Sequence, residues 1–199
     1  MFKPSEKAGS GSYPKKTLTP HAVHDIVIQS ITMKLANAAQ IIVITVRGKE
    51  VINELPEKYQ VALGEYWCTD NTGKVNAQDA VDALSTIANV LGIKSEFDEA
   101  ISKATSVQEL ANIANTKFSG KSAFAVTAKL LGMYNDKPYE KGFLPKYGAI
   151  HKTKELADKF LAGKLAKPDK WFTKIDKSMI KAQESSGPIG EPVEDDLPF

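Results

Sequence analysis

A Gly-Lys-Ser triplet in "FSGKS", residues 118–122, is the clearest candidate in the chain for binding a nucleotide phosphate. A phosphate-binding loop built on this triplet also needs a glycine five residues before Gly120 and a helix directly after the serine. Position 115 holds Asn115, and the residues that follow Ser122 have the two-residue period of a strand. We therefore expect no nucleotide site at this triplet.

A second stretch, "CTDNTGKVNAQDAVDAL" (residues 68–84), resembles the calcium loop and following helix of dockerin-type EF-hands. That resemblance implies an inward-pointing Val75 and Asp79 as the last ligand. Calcium needs six or more oxygen ligands, whereas the early ligand positions hold Cys68, Asp70 and Thr72, and the loop has no second copy. A turn between a strand and a helix explains the same residues, so a calcium-dependent interaction module remains an alternative.

Residues that could catalyse a reaction do not form a recognisable set in the sequence. His21 and His24 are close enough to touch one metal ion, but no cysteine or acidic cluster completes the ligands, and His151 is remote. Cys68 is the only cysteine, which excludes an internal disulfide, and it has no neighbouring histidine to activate it. We therefore predict a non-catalytic binding protein with no metal and no cofactor.

The net charge of +2 hides a strong asymmetry along the chain. Residues 184–199 carry five acids and no Lys or Arg, which leaves 26 basic against 19 acidic residues in 1–183, a net charge of about +7. A basic body with an acidic tail favours a polyanionic ligand. Arg47 is the only arginine, and lysine lacks the bidentate fork that reads guanine, so the charge pattern favours nucleic-acid binding that does not depend on sequence.

Aromatic side chains alternate with lysines on the predicted strands. Proteins that bind single-stranded nucleic acid combine rings on which bases stack with cations that hold the phosphates. Some rings must belong to the core: Phe124 and Phe143 look most core-like, and Tyr66 and Trp67 point to opposite faces, so at most one of these two is a stacking platform. The candidate DNA-binding residues are Lys34, Arg47, Lys49, Lys58, Tyr59, Tyr66, Trp67, Lys129, Tyr134, Lys137, Tyr139, Lys141, Lys146 and Tyr147.

The pattern of apolar residues divides the chain into three parts. Residues 1–17 predict a flexible basic arm, residues 18–183 a folded domain, and residues 184–199 a disordered acidic tail. In the domain, β-branched runs predict strands at 24–35, 39–48 and 59–70, the last with a bulge or bend at Gly64. Helices are predicted after the N-cap residues Asn76 and Ser106, a β-hairpin around 134–139, and Lys-rich helices near 154–162 and 168–182.

The order of these elements is three strands, a helical insert and two strands. This order is that of an OB-fold, a five-stranded barrel with a helix between the third and fourth strands. We therefore predict a mainly β OB-fold barrel with a helical insert between strands 3 and 4 and with helices near the C-terminus.

The final residues, "DDLPF", resemble the acidic tip of bacterial single-stranded DNA-binding proteins, and "GKSAFAVTAKLLGMYNDKPYEK" looks like the phage-encoded members with an OB-fold. The resemblance implies a protein that binds single-stranded DNA in replication, recombination or repair. We expect it in the cytoplasm (of the host, for a phage protein), and a homodimer is an assembly that the sequence leaves open. A strand-annealing recombination protein is the nearest alternative. The tip would recruit partner enzymes through Asp195, Asp196, Leu197, Pro198 and Phe199.

Overall fold

A computed structural model describes residues 17–36, 39–52, 55–56, 60–69, 72–134, 137–167 and 172–176. The predicted acidic tail, and the predicted basic arm apart from its last residue, lie outside these ranges. The described chain is mainly β-sheet with helical additions, as the sequence predicts, and it is consistent with an OB-like arrangement. None of the helices in these ranges combines the length and hydropathy needed to cross a bilayer.

Most strands of the described chain belong to two sheets. The elements are β1 (Val23–Ala36), β2 (Ala39–Gly48), β3 (Val51–Ile52), β4 (Leu55–Pro56), β5 (Val61–Trp67), α1 (Gln78–Val90), α2 (Lys94–Ile101), α3 (Val107–Phe118), β6 (Ser122–Val126), β7 (Ala128–Tyr134), β8 (Lys137–Phe143), β9 (Ile150–His151), α4 (Lys154–Ala166) and β10 (Thr173–Ile175). The first sheet has the order β5-β2-β1-β6-β9, the second has the order β10-β7-β8, and β3 pairs with β4.

The main core lies on one face of the first sheet. Successive side chains of a strand point to opposite faces, so Ile42, Ile44 and Val46 of β2 share a face, and all three are fully buried. They belong to one apolar cluster with residues of α1, α2 and α3. On the opposite face of β2, Ile41 is also buried but Arg47 is exposed. β2 is therefore apolar on both faces over most of its length.

Three helices lie between β5 and β6, where the sequence predicts a helical insert. The pattern predicts α1 and α3 but not α2, because this short helix buries a single side chain, Phe97. The ring of Phe97 packs against Phe118 of α3 with 4.8 Å between the ring centroids. Because only one of the eight residues of α2 is buried, the sequence of α2 has no repeated apolar spacing from which a helix could be predicted.

Side-chain caps fix the start of α3 but not the start of α1. Ser106 caps α3 as predicted, since its hydroxyl accepts a hydrogen bond from the N–H of Glu109 at 3.2 Å. The N-cap position of α1 is Ala77, so the prediction of Asn76 is wrong by one residue. The side-chain oxygen of Asn76 accepts instead from the N–H of Gln78 at 3.3 Å, a local turn that directly precedes the helix.

The chain that follows α3 leaves the first sheet and enters the second sheet at Thr127. β6 pairs with β1, whereas β7 pairs antiparallel with β8, beginning with Ala128 opposite Phe143. The hydroxyl of Thr127 is buried and donates a hydrogen bond to the carbonyl oxygen of Thr19 at 2.6 Å. The predicted hairpin around 134–139 is confirmed, but the single strand predicted before it is two strands.

Main-chain hydrogen bonds join the two sheets along one side. The N–H of Leu18 donates to the carbonyl of Val61 in β5 at 3.0 Å, and the N–H of Gly142 in β8 donates to the carbonyl of Leu18 at 3.1 Å. The N–H of Leu144 donates to the carbonyl of Leu63 at 2.9 Å. The C-terminal end of β8 therefore lies beside β5.

The predicted bulge at Gly64 is wrong. The pairing of β2 with β5 runs without a shift from Ile41 opposite Trp67 to its other end. A register shift occurs in β1 instead, between Ile28 and Ser30. A Cβ on Gly64 would come within 3.2 Å of the Cβ of Leu144, so the glycine allows a close approach of the neighbouring segment.

Two further predictions change. Residues 173–175, inside the helix predicted at 168–182, form β10, which runs parallel to β7. Val75 is 51% exposed, whereas a calcium loop requires it to point inward, and Cys68, in the first ligand position of such a loop, is fully buried. Val75 and Cys68 thus face the opposite way from their counterparts in a calcium loop.

Candidate nucleic-acid interface

The two faces of β5 differ sharply in exposure. Ala62 and Tyr66 point into the core, and Tyr66 is only 3% exposed, whereas Trp67 on the opposite face is 55% exposed. Burial raises the pKa of Tyr66 to about 12. Tyr66 is therefore a core residue whose ring cannot meet a base, which corrects its inclusion among the DNA-binding candidates, and Trp67 is the possible platform.

An open groove of about 630 Å³ lies between β5 and the second sheet. One wall is the outward face of β5, with Leu63 and Trp67. The other wall comes from β7, β8 and β10, and its side chains include Leu130, Lys141, Phe143 and Lys174. We call this space the β5–β8 groove.

Cations and rings are mixed on the second wall of the β5–β8 groove. The ammonium of Lys174 lies 4.7 Å from the centroid of the Phe143 ring, a cation–π contact. Phe143 is only partly buried: it packs against a small apolar cluster of Val126, Ala128, Ala157 and Phe172, as a core-like residue should, and it also lines the groove. Lys141 and Phe143 lie two residues apart on β8 and hence on the same face.

Tyr139 continues this face of β8 beyond the groove. A Cβ on Gly132, its partner in β7, would collide with the Tyr139 ring, so the ring lies directly over the glycine backbone. An aromatic ring that covers a strand glycine replaces the packing that the glycine lacks. Tyr139, Lys141 and Phe143 therefore form a row of alternating ring, cation and ring.

Lys146, Tyr147 and Asp79 form a polar cluster at one rim of the groove. The ammonium of Lys146 lies 2.5 Å from a carboxylate oxygen of Asp79, and the Tyr147 hydroxyl donates to the other oxygen at 3.4 Å. The same ammonium lies 5.3 Å from the centroid of the Tyr147 ring. The hydrogen bond that Lys146 donates to Asp79 lowers the pKa of Asp79 and raises the pKa of Lys146. The α1 carboxylate thereby holds both predicted residues at the groove.

The basic residues of β1 and β2 flank the groove without lining it. Lys34 is paired across the sheet with Ile41, which is in turn paired with Trp67, so all three lie in one row on the outward face. At the other end of β2, Arg47 is exposed and paired with Val61 of β5. These positions add a cation near each end of β5, on the side of β5 that pairs with β2.

Other predicted residues lie apart from the groove or outside the described chain. Lys49 forms an ion pair with Asp25 at 2.8 Å, and Lys129 forms one with Glu140 at 3.3 Å. Lys137 is exposed at the beginning of β8, opposite the last residue of β7, Tyr134. Lys58, Tyr59, Asp195, Asp196, Leu197, Pro198 and Phe199 lie outside the described residues.

His21, His24 and Cys68 have structural surroundings. The His21 ring stacks on Phe172 at 4.9 Å, and the Nε2 atom of buried His24 lies 2.9 Å from the carbonyl oxygen of Thr19. Cys68 is buried, and burial raises the pKa of its thiol. Within the described ranges no three His, Cys, Asp or Glu side chains are grouped closely enough to hold a metal ion.

Sequence reasoning missed Leu63, Leu130 and Lys174 as groove residues. Leu63 shares the outward face of β5 with Trp67, so the two-residue period contained the signal for it. Lys174 lies in a three-residue strand, which is too short for its period to be distinguished from that of a helix.

Comparisons with known proteins give little sequence similarity. No protein-family model matches the chain, and no curated protein matches it. Among solved structures, the chain is similar to one described as yeast RPA bound to ssDNA, with a TM-score of 0.30 and 8% identity over 82% of this chain and 92% of that one. Similarity at this level does not establish a common fold, so any functional conclusion depends on the geometry of the groove.

Proposed function

We propose that the protein binds single-stranded DNA, with little dependence on sequence, in the β5–β8 groove. One observation carries this proposal: in one open groove, the exposed Trp67 ring faces a second wall that has the Phe143 ring and the lysines Lys141 and Lys174. Bases stack on exposed aromatic rings irrespective of their identity, and lysines attract phosphates as point charges. The protein acts as a binder without catalysis.

The hydrogen bonds between the sheets support an OB-type barrel around this groove. In this assignment β1, β2 and β5 are the first three barrel strands, β6 with β7 is the fourth, and β8 is the fifth. The contacts of Leu18 and Leu144 close the side between β5 and β8. The helical insert then falls between the third and fourth strands, as in the predicted order.

A titration of fluorescent oligo-dT and of a duplex of the same length tests the proposal. At low salt we expect tight binding to the single strand and much weaker binding to the duplex, because bases in a duplex are stacked on each other and cannot reach Trp67. The logarithm of the binding constant should fall linearly with the logarithm of the salt concentration, by about 0.7 for each phosphate neutralised. Equal affinity for the two nucleic acids would contradict stacking in the groove.

We further propose that the C-terminal tip recruits enzymes of replication, recombination or repair. Phe199 with its terminal carboxylate and the neighbouring acids suits a basic, apolar site on a partner. The test is a pull-down of such enzymes with the unmodified protein and with Phe199→Ala, together with a DNA titration of each. Loss of the partners with unchanged DNA affinity is expected, and retention of every partner by Phe199→Ala would refute this role.

A further inference from the structure

The β5–β8 groove contains an acidic side chain that a simple phosphate-binding surface would not have. Glu65 lies between Leu63 and Trp67 on the outward face of β5, lines the groove and is exposed. Asp79, another carboxylate at the groove, is held by Lys146. Among the described residues no ion pair involves Glu65.

The position of Glu65 divides the groove into a base side and a phosphate side. A carboxylate repels phosphates, so the DNA backbone should follow the wall that carries Lys141 and Lys174, which leaves the bases over β5. Side chains two residues apart on one strand are about 7 Å from each other. A base stacked on Trp67 therefore has one edge within reach of the Glu65 carboxylate.

An ionised carboxylate can only accept hydrogen bonds, which makes its contact with a base selective. The Watson–Crick edge of guanine offers two parallel donors, N1–H and the 2-amino group, which match the two carboxylate oxygens. Thymine offers one N–H between two carbonyl oxygens, and those oxygens repel the carboxylate. A single-stranded base exposes this edge for recognition.

We propose that Glu65 is a specificity-determining residue that makes the groove prefer guanine to thymine at the position stacked on Trp67. This inference rests on the proposed function, because it assumes that single-stranded DNA occupies the groove. The preference is modest and is superimposed on binding that is otherwise independent of sequence, since it concerns one base position among several phosphate contacts.

The test compares three oligonucleotides: plain oligo-dT, oligo-dT with isolated guanines, and the same oligonucleotide with inosine in place of guanine. Inosine keeps the ring and N1–H but lacks the 2-amino group. The unmodified protein should bind the guanine oligonucleotide about two- to tenfold more tightly than the inosine one, which is the net value of one ordinary hydrogen bond. In Glu65→Ala this ratio should fall to about one.

Two control variants separate the hydrogen bond from the charge. Glu65→Asp keeps the charge but withdraws the carboxylate by one methylene, so its affinity for oligo-dT should stay near that of the unmodified protein while the guanine preference falls. Glu99→Ala removes an exposed carboxylate from α2, outside the groove, and should leave the preference unchanged. A guanine-to-inosine ratio that is the same in Glu65→Ala as in the unmodified protein would overturn the role of Glu65 alone. Failure to bind any of the three oligonucleotides would overturn the proposed function as well.

Discussion

Truncation of Trp67 and of Tyr66 should separate DNA binding from stability. These neighbours lie on opposite faces of the same strand, one 55% exposed and the other 3% exposed. We expect Trp67→Ala to weaken binding to oligo-dT by about 1–3 kcal/mol, the contribution of one stacked base, which is roughly a 5- to 150-fold change in affinity. Tyr66→Ala should leave the affinity of the folded protein unchanged.

The stability changes should follow the buried area. Slightly less than half of Trp67 is buried, or about 110 Å² of a ring that buries up to roughly 250 Å², so its loss costs at most about 2–3 kcal/mol. Tyr66 is almost completely buried, and removal of a buried aromatic ring costs about 3–5 kcal/mol. Tyr66→Ala should therefore lower the melting temperature more than Trp67→Ala does.

The assay is a fluorescence-anisotropy titration of each variant below its melting temperature, combined with a thermal melt of the same sample. Trp67→Phe keeps a smaller ring in place and should give an intermediate affinity. Normal DNA affinity in a folded Trp67→Ala protein would show that β5 does not form part of the DNA-binding surface. A loss of affinity in Tyr66→Ala, at a temperature where it is fully folded, would show that the core face of β5 is wrongly assigned.

Three further predictions concern charge, pH and packing. Lys141→Gln should reduce the slope of log affinity against log salt by about 0.7, whereas Lys103→Gln, an exposed lysine outside the groove, should leave the slope unchanged in the same titration. Burial raises the pKa of Tyr66 from an ordinary value of 10.0 to about 12, because it favours the neutral hydroxyl in the folded state. This preference contributes roughly 2–3 kcal/mol to stability, which is fully present below pH 10 and is lost as the pH rises towards 12. In a plot of the free energy of unfolding against pH, Tyr66→Phe should not show that loss. A variant that loses as much stability above pH 10 as the unmodified protein would contradict the prediction. In thermal melts Gly142→Ala should be strongly destabilised, because its Cβ would collide with the backbone carbonyl of Leu18. The control Gly163→Ala lies in a helix with open space around it and should be neutral or stabilised by up to about 1 kcal/mol. Equal melting temperatures of the two variants would refute the packing at Gly142.

The sequence predicts the faces of long strands well because the backbone alone determines them. The two-residue period places Tyr66 and Trp67 on opposite faces of β5, and the structure confirms that one ring is core and the other exposed. The period does not tell which neighbour covers a face. Periodicity predicts a core-like Phe143, and its ring does pack against the smaller apolar cluster, but periodicity gives no sign that the same ring also lines the β5–β8 groove.

The period of apolar residues also does not predict which strands pair with each other. Lys174 reaches the groove only because β10 pairs in parallel with β7, and no local pattern in three residues specifies that pairing. The cluster of Lys146, Tyr147 and Asp79 joins residues more than sixty positions apart. The sequence predicts the individual lysine and tyrosine as DNA-binding candidates, but nothing local indicates that the carboxylate of Asp79 holds them.

Main-chain contacts, rather than the groove side chains, determine the distance between the two walls. Leu18 is fully buried and is hydrogen-bonded to Val61 on one side and to Gly142 on the other, so it lies between the strands that carry Trp67 and Phe143. Substitution of either ring removes a contact for DNA but leaves these hydrogen bonds in place. A Cβ at position 142 acts differently, because it would displace the Leu18 carbonyl and with it the separation of the walls. The ring variants are therefore expected to lose affinity with only the stability that the burial of the ring itself contributes, whereas the glycine variant should lose affinity together with a larger part of its stability.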